Sequence, residues 1–143
     1  MKRLSILLLA ALSLPAMAGA TDWPDAFRGI AAGEVQWLEQ VPALAAVADV
    51  KQAQRLEDSL AAALTANTTG ALRALDVIDA GHWPHMIGSD IVCTPPTEPP
   101  DKVDAFYQRT RQALLSTAAG AKCLWILEAS YDELKTDNAR KVK

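Results

Sequence analysis

The chain predicts an all-α domain: five or six short helices packed as antiparallel hairpins, with one disulfide. Apolar residues recur three or four apart along most of its length, the spacing that gathers them on one face of a helix. No stretch alternates apolar and polar residues long enough to mark a strand. Gly33, Pro42, Gly81 and Gly120 punctuate the periodic segments, as helix-stopping residues should.

Residues 1–20 read as a cleavable bacterial-type signal peptide. Lys2 and Arg3 form a positive start, Leu4 to Leu14 is apolar apart from serines, and Pro15 then breaks the run. Ala16-Met17-Ala18 and Ala18-Gly19-Ala20 both fit a small-x-small cleavage rule, and the second leaves Thr21 as the new N-terminus. The run is too short for a membrane span of about 20 residues. No cysteine stands at the cleavage region directly after it, so no lipid anchor is expected. The processed protein is expected to be periplasmic or secreted, with a helical domain over 21–135 and a polar tail over 136–143.

Within that domain, Asp22-Trp23-Pro24 starts a helix with proline in the first turn, where its missing N–H does no harm. It runs to Ala32 and stops at Gly33. A second helix carries Val35, Leu38 and Val41 beside Trp37, and Pro42 ends or kinks it. The clearest helix is Val50–Ala66, capped by Asp49, with Val50, Ala53, Leu56, Leu60 and Leu64 on one face. Asn67 ends it, and Thr68 or Thr69 is placed to cap the next, through Leu72, Leu75 and Ile78 to Gly81. So short a link forces antiparallel neighbours. Asn67-Thr68-Thr69 also spells a glycosylation sequon, read here as a helix boundary. Thr94–Pro100 holds four prolines and reads as an extended loop. Asp101 then caps a helix with Val103, Phe106, Thr110 and Leu114 inward. A last helix aligns Cys123, Leu127, Tyr131 and Leu134, and places Trp125 in the core.

The chain has 14 basic and 17 acidic residues, a net charge of −3; from Thr21 to Lys135, nine basic residues face sixteen acidic ones, a balance of −7. An acidic body argues against nucleic acid, which requires a concentrated basic surface, and against docking on anionic lipid. The cysteines, Cys93 and Cys123, form an even pair in a chain bound for an oxidising compartment and are expected to be bonded. The pair would pin the proline-rich loop to the final helix.

One polar cluster invites chemistry. His82 and His85 lie three apart in the stretch from Asp79 to Asp90, and two imidazoles with Asp90 are a donor set for zinc with an open position for water. Pro84 between them breaks the helical spacing that would aim both rings at one point. Ser89 adds the ingredients of a hydrolase triad without a Gly-x-Ser-x-Gly elbow. Glu34, Glu39, Glu57 and Asp58 are the carboxylates available for sugar chemistry, and all fall on expected helix surfaces. No phosphate-cradling glycine loop occurs, and no cofactor is expected. Of the tryptophans at 23, 37, 83 and 125, Trp83, flanked by His82, Pro84 and His85, is expected to be partly exposed, either as an anchor for a protein partner or as a lid on the end of the helical core.

The stretch from Ile87-Gly88-Ser89-Asp90 through Ile91-Val92-Cys93-Thr94-Pro95-Pro96, then an amphipathic helix, then Cys123, resembles part of the small helical periplasmic immunity proteins of the type VI secretion amidase-immunity group. The likeness spans about a quarter of the chain, and its specific content is Cys-x-Pro-Pro with a second cysteine further on. This chain continues with a full helix after Cys123 and has no upstream cysteine. The resemblance implies a protein that protects bacteria from exported peptidoglycan amidases, and it carries over no individual binding residue.

The leading expectation is therefore an exported, non-enzymatic protein that binds another envelope or secreted protein, as an immunity protein or inhibitor of a cell-wall hydrolase. The alternatives are a small envelope enzyme or metal-binding protein using the His82/His85 loop, and a small-molecule carrier lined by leucine and alanine faces.

Overall fold

The computed structural model describes residues 20–97 and 99–142. The expected signal peptide lies outside the described residues except for Ala20. The described residues form eight α-helices and no strand: α1 (Trp23–Ala31), α2 (Val35–Leu38), α3 (Val41–Val47), α4 (Val50–Ala66), α5 (Thr68–Ala80), α6 (Ser89–Val92), α7 (Pro100–Leu115) and α8 (Ala121–Lys141), with a 3₁₀ turn at Ala118–Gly120.

Helix α4 is the axis of the fold, in contact with α1, α3, α5, α6 and α7. Its start is locally encoded: Asp49 accepts from the Gln52 backbone while the Gln52 side chain accepts from the Asp49 N–H, each at 2.8 Å, a reciprocal cap that satisfies two otherwise free donors. Ala53, Leu56, Ser59, Leu60, Ala63 and Leu64 are buried along it. Helix α1 lies against α4, with Arg55 stacked over the Phe27 ring at 4.4 Å. Asp22 caps α1 by accepting from the Asp25 N–H.

A single residue, Asn67, turns α4 into α5. Its Oδ1 accepts from the Gly70 N–H at 3.0 Å and its Nδ2 donates to the Gly33 carbonyl at 2.9 Å. Gly33 sits at φ +76°, a left-handed position that glycine adopts without strain, and a side chain there would run into Asn67. Asn67, and not Thr68 or Thr69, is thus the cap of α5; Thr68 instead bonds back to the Leu64 carbonyl. Asn67→Ala is expected to lower stability by about 1–2 kcal/mol, in line with a lost cap. Asn67→Asp keeps the cap oxygen but loses the donor to Gly33, and should recover part of that loss in urea melts.

The second hairpin joins α7 to α8. Tyr107 and Tyr131 stack at 3.8 Å, the Tyr131 hydroxyl donates to Asp104 at 2.7 Å, and Arg111 pairs with Glu128 at 2.6 Å. Cys93 and Cys123 are bonded and buried, tying the end of α6 to α8. Thr94 and Ser130 add a hydroxyl contact at 3.2 Å beside that bond.

Several expectations change. The described residues hold eight helices because Pro42 starts α3 instead of only ending α2, occupying its first turn where no N–H is needed, and because α6 adds a turn ahead of the proline-rich segment, where no helix was expected. Pro99 occupies the cap position of α7, and Asp101 falls in its first turn. Val50 stands at the exposed first turn of α4 and faces outward. Residues 136–142 are exposed, and α8 continues through this tail to Lys141. Trp125 is 74% exposed, not core. The inward face of α8 is set by Cys123, Ile126 and Leu127, and residue 125 lies about 200° around from Cys123 at 3.6 residues per turn.

Candidate functional site

The segment from Asp79 to Asp90 is organised by Asp79, not by the histidines. Its Oδ1 accepts from the Ser89 N–H at 2.9 Å, and its Oδ2 accepts from the Ser89 hydroxyl and the Lys122 ammonium, each at 2.6 Å. The side chain is 19% exposed. Burial pushes the Asp79 carboxyl up, but the hydrogen bonds from Lys122 and Ser89 outweigh it and hold the group below its ordinary value. One carboxylate thereby fastens α5, α6 and α8 together.

Asp79 therefore stabilises the fold at pH values above its unfolded pKa of about 3.9. As the pH falls through the lower folded value, that contribution is lost. Asp79→Asn should cost about 1.5–3 kcal/mol at neutral pH, typical of hydrogen bonds to a charged group. The gap between wild type and variant should close on acidification below about pH 4, read as denaturation midpoints across a pH series.

This arrangement removes the triad ingredients from service. The Ser89 hydroxyl is buried and its proton is directed at Asp79, and an oxygen acceptor already bonded to lysine is a poor base for it. His82 is exposed and His85 half-buried. Among the described residues, no three His, Cys, Asp or Glu side chains come together as a group able to hold a metal ion. His82, His85 and Asp90 are thus near in sequence without forming the zinc set considered above.

Of the two readings of Trp83, the structure fits the lid on the end of the helical core. Its Nε1 donates to the Ile78 carbonyl at 2.7 Å and its ring packs close to Gly81. It is half-buried and closes the C-terminal end of α5, giving the Ile78 carbonyl a second donor beside the Gly81 N–H at 3.1 Å. Trp23 tilts against Phe27 at 5.5 Å, and Trp37 packs against Gly29. Trp125 is the tryptophan that faces solvent.

An open groove of about 560 Å³ lies between α4, α6 and α7. Glu57, Asp58, Ala61, Ala62 and Thr65 of α4 form one wall. Phe106, Arg109 and Thr110 of α7 form the other. Asp90 and Ile91 of α6, with Pro95 and Pro96 just beyond the disulfide, close its end. Its surface is mainly apolar, and three carboxylates, Glu57, Asp58 and Asp90, stand against Arg109. Burial pushes the Glu57 carboxyl up, and the neighbouring Asp58 charge adds to the effect. A second cleft of about 370 Å³ lies between α2, α3 and α5, over Leu38, Pro42 and Ala74, with Glu39 and Arg73 at its edge.

Of the residues singled out in the sequence, the structure brings Glu57, Asp58 and Asp90 to one groove and leaves His82, His85 and Trp83 outside its lining. Ile91, Pro95, Pro96 and Phe106 are the apolar lining that sequence reasoning missed as a site. The proline cluster was the one visible signal, since it marks where the chain leaves the helical core. No protein-family model matches the chain, and no curated protein or solved structure matches it either.

Proposed function

We propose that this protein is exported and acts, without catalysis, by binding another envelope or secreted protein, as an immunity protein or inhibitor of a cell-wall hydrolase. The observation that carries this reading is the groove: mainly apolar in surface, open to solvent, with Glu57, Asp58 and Asp90 in its lining. Protein interfaces combine apolar surface with polar groups, and the groove lining holds both. The carboxylates supply orientation and a faster encounter with a basic partner. The expectation of a signal peptide, the bonded Cys93–Cys123 pair and the absence of any spanning helix among the described residues are compatible with work outside the cytoplasm. The cell-wall hydrolase as target rests on the resemblance of residues 87–123 to amidase immunity proteins.

The test is affinity capture from envelope fractions with the wild-type protein and with Ala62→Trp. Ala62 is exposed on the groove wall, and tryptophan there fills the groove at little cost to the helix. Recovery of one stoichiometric partner by wild type and its loss with Ala62→Trp supports the proposal. Equal recovery by both proteins would place the interface elsewhere.

A further inference from the structure

We infer that the groove receives a short amphipathic helix of the partner, apolar on one face and flanked by lysine or arginine. This deepens the reading above and rests on it. The α4 wall consists of residues at relative positions 0, 1, 4, 5 and 8, from Glu57 to Thr65. Those positions form one continuous strip of a helix, about 12 Å long at 1.5 Å per residue. Such a strip matches about two turns of an incoming helix, enough for two or three anchors spaced i, i+3 or i+4. Ala61 and Ala62 occupy its middle and let a second backbone approach closely, because no long side chain stands between. Neither of the other common peptide modes has its template here. Strand addition needs an exposed sheet edge, and the described residues contain no strand. Polyproline recognition needs an aromatic-lined groove, and Phe106 is the lone aromatic residue of this lining.

Charge decides the flanks of the occupant. Glu57 and Asp58 stand at one end of the α4 strip, Asp90 lies on α6, and Arg109 is the cation of the lining. The excess is negative on a body that is itself acidic. Lys or Arg beside the apolar anchors is therefore favoured, and acidic flanks are repelled.

The test uses the protein as the cell processes it and two 14-residue peptides of identical leucine and lysine content. One peptide places its leucines at helical spacing; the other alternates leucine and lysine, a strand pattern. Calorimetry should show the helical peptide binding at least tenfold more tightly. The combined variant Glu57→Gln, Asp58→Asn, Asp90→Asn should weaken it about tenfold at low salt, as three partly exposed charge pairs would. A control with equal charge loss outside the groove, Glu34→Gln, Glu39→Gln, Glu133→Gln, should change binding less than twofold. Equal binding of the two peptides, equal losses in the two variants, or no binding of either peptide overturns the helical occupant. If Ala62→Trp still abolishes capture of the natural partner in that case, the groove reading stands and only the helix falls. Should Ala62→Trp leave capture unchanged, the groove reading falls with it.

Discussion

Replacing Cys93 and Cys123 together by alanine is expected to lower stability by about 3–4 kcal/mol on the chain-entropy account of a cross-link. The two cysteines are 30 residues apart, so without the bond the unfolded chain regains the freedom of a long loop. For a domain of this size the loss corresponds to a fall in melting temperature of roughly 10–20 °C. A local effect accompanies the global one. Cys93 ends α6, and Thr94, Pro95 and Pro96 follow directly into the groove. Removing the bond leaves that segment held by the Thr94 hydroxyl contacts and the Asp79 bonds to Ser89. Melting in the presence and absence of reductant checks the first effect, because reductant should lower the wild-type transition toward that of the double variant and leave the variant unmoved.

Leu60→Ala should destabilise by about 2–5 kcal/mol, the range for emptying a leucine site in a packed core. Leu60 has no exposed surface, and it lies on α4, the helix that the surrounding helices share. Shrinking it removes packing that α4's neighbours cannot recover without moving together. Val50 provides the contrast. It belongs to the same expected stripe but is exposed at the first turn of α4, so Val50→Ala should change stability by no more than about 0.5 kcal/mol. Urea denaturation of the two variants separates the faces, and similar losses would mean that α4 is rotated from the orientation described.

The parts of this fold that were legible in the sequence are those whose causes are local. Helix α4 is the clearest: its cap, its capping partner three residues on, and its apolar stripe lie within one segment, and its limits agree with the structure. The cysteine pair was legible because two cysteines allow a single pairing. Helix α6 was not legible, since the carboxylate that secures its first residue, Asp79, comes from the preceding long helix. Trp125 was misplaced for a related reason. Leu124, Trp125, Ile126 and Leu127 are contiguous apolar residues, so periodicity alone does not say which face turns inward; the bond at Cys123 does. Trp83 had two readings in the sequence, a partly exposed anchor and a lid on the helical core, and the Ile78 carbonyl at the end of α5, within reach of its indole, favours the lid. The groove is assembled from three segments, around residues 57–65, 90–97 and 106–110. None of the three has a motif of its own, because the site arises from packing.

On the proposed function, the partner sits in the groove between α4, α6 and α7. Hydrogen exchange of the protein with and without its captured partner tests it most directly. Slowed exchange should centre on residues 57–65 and 90–97, while the outer face of α8 around Trp125 remains unchanged. Protection confined to α8 near Trp125, with the groove segments exchanging as in the free protein, would contradict it.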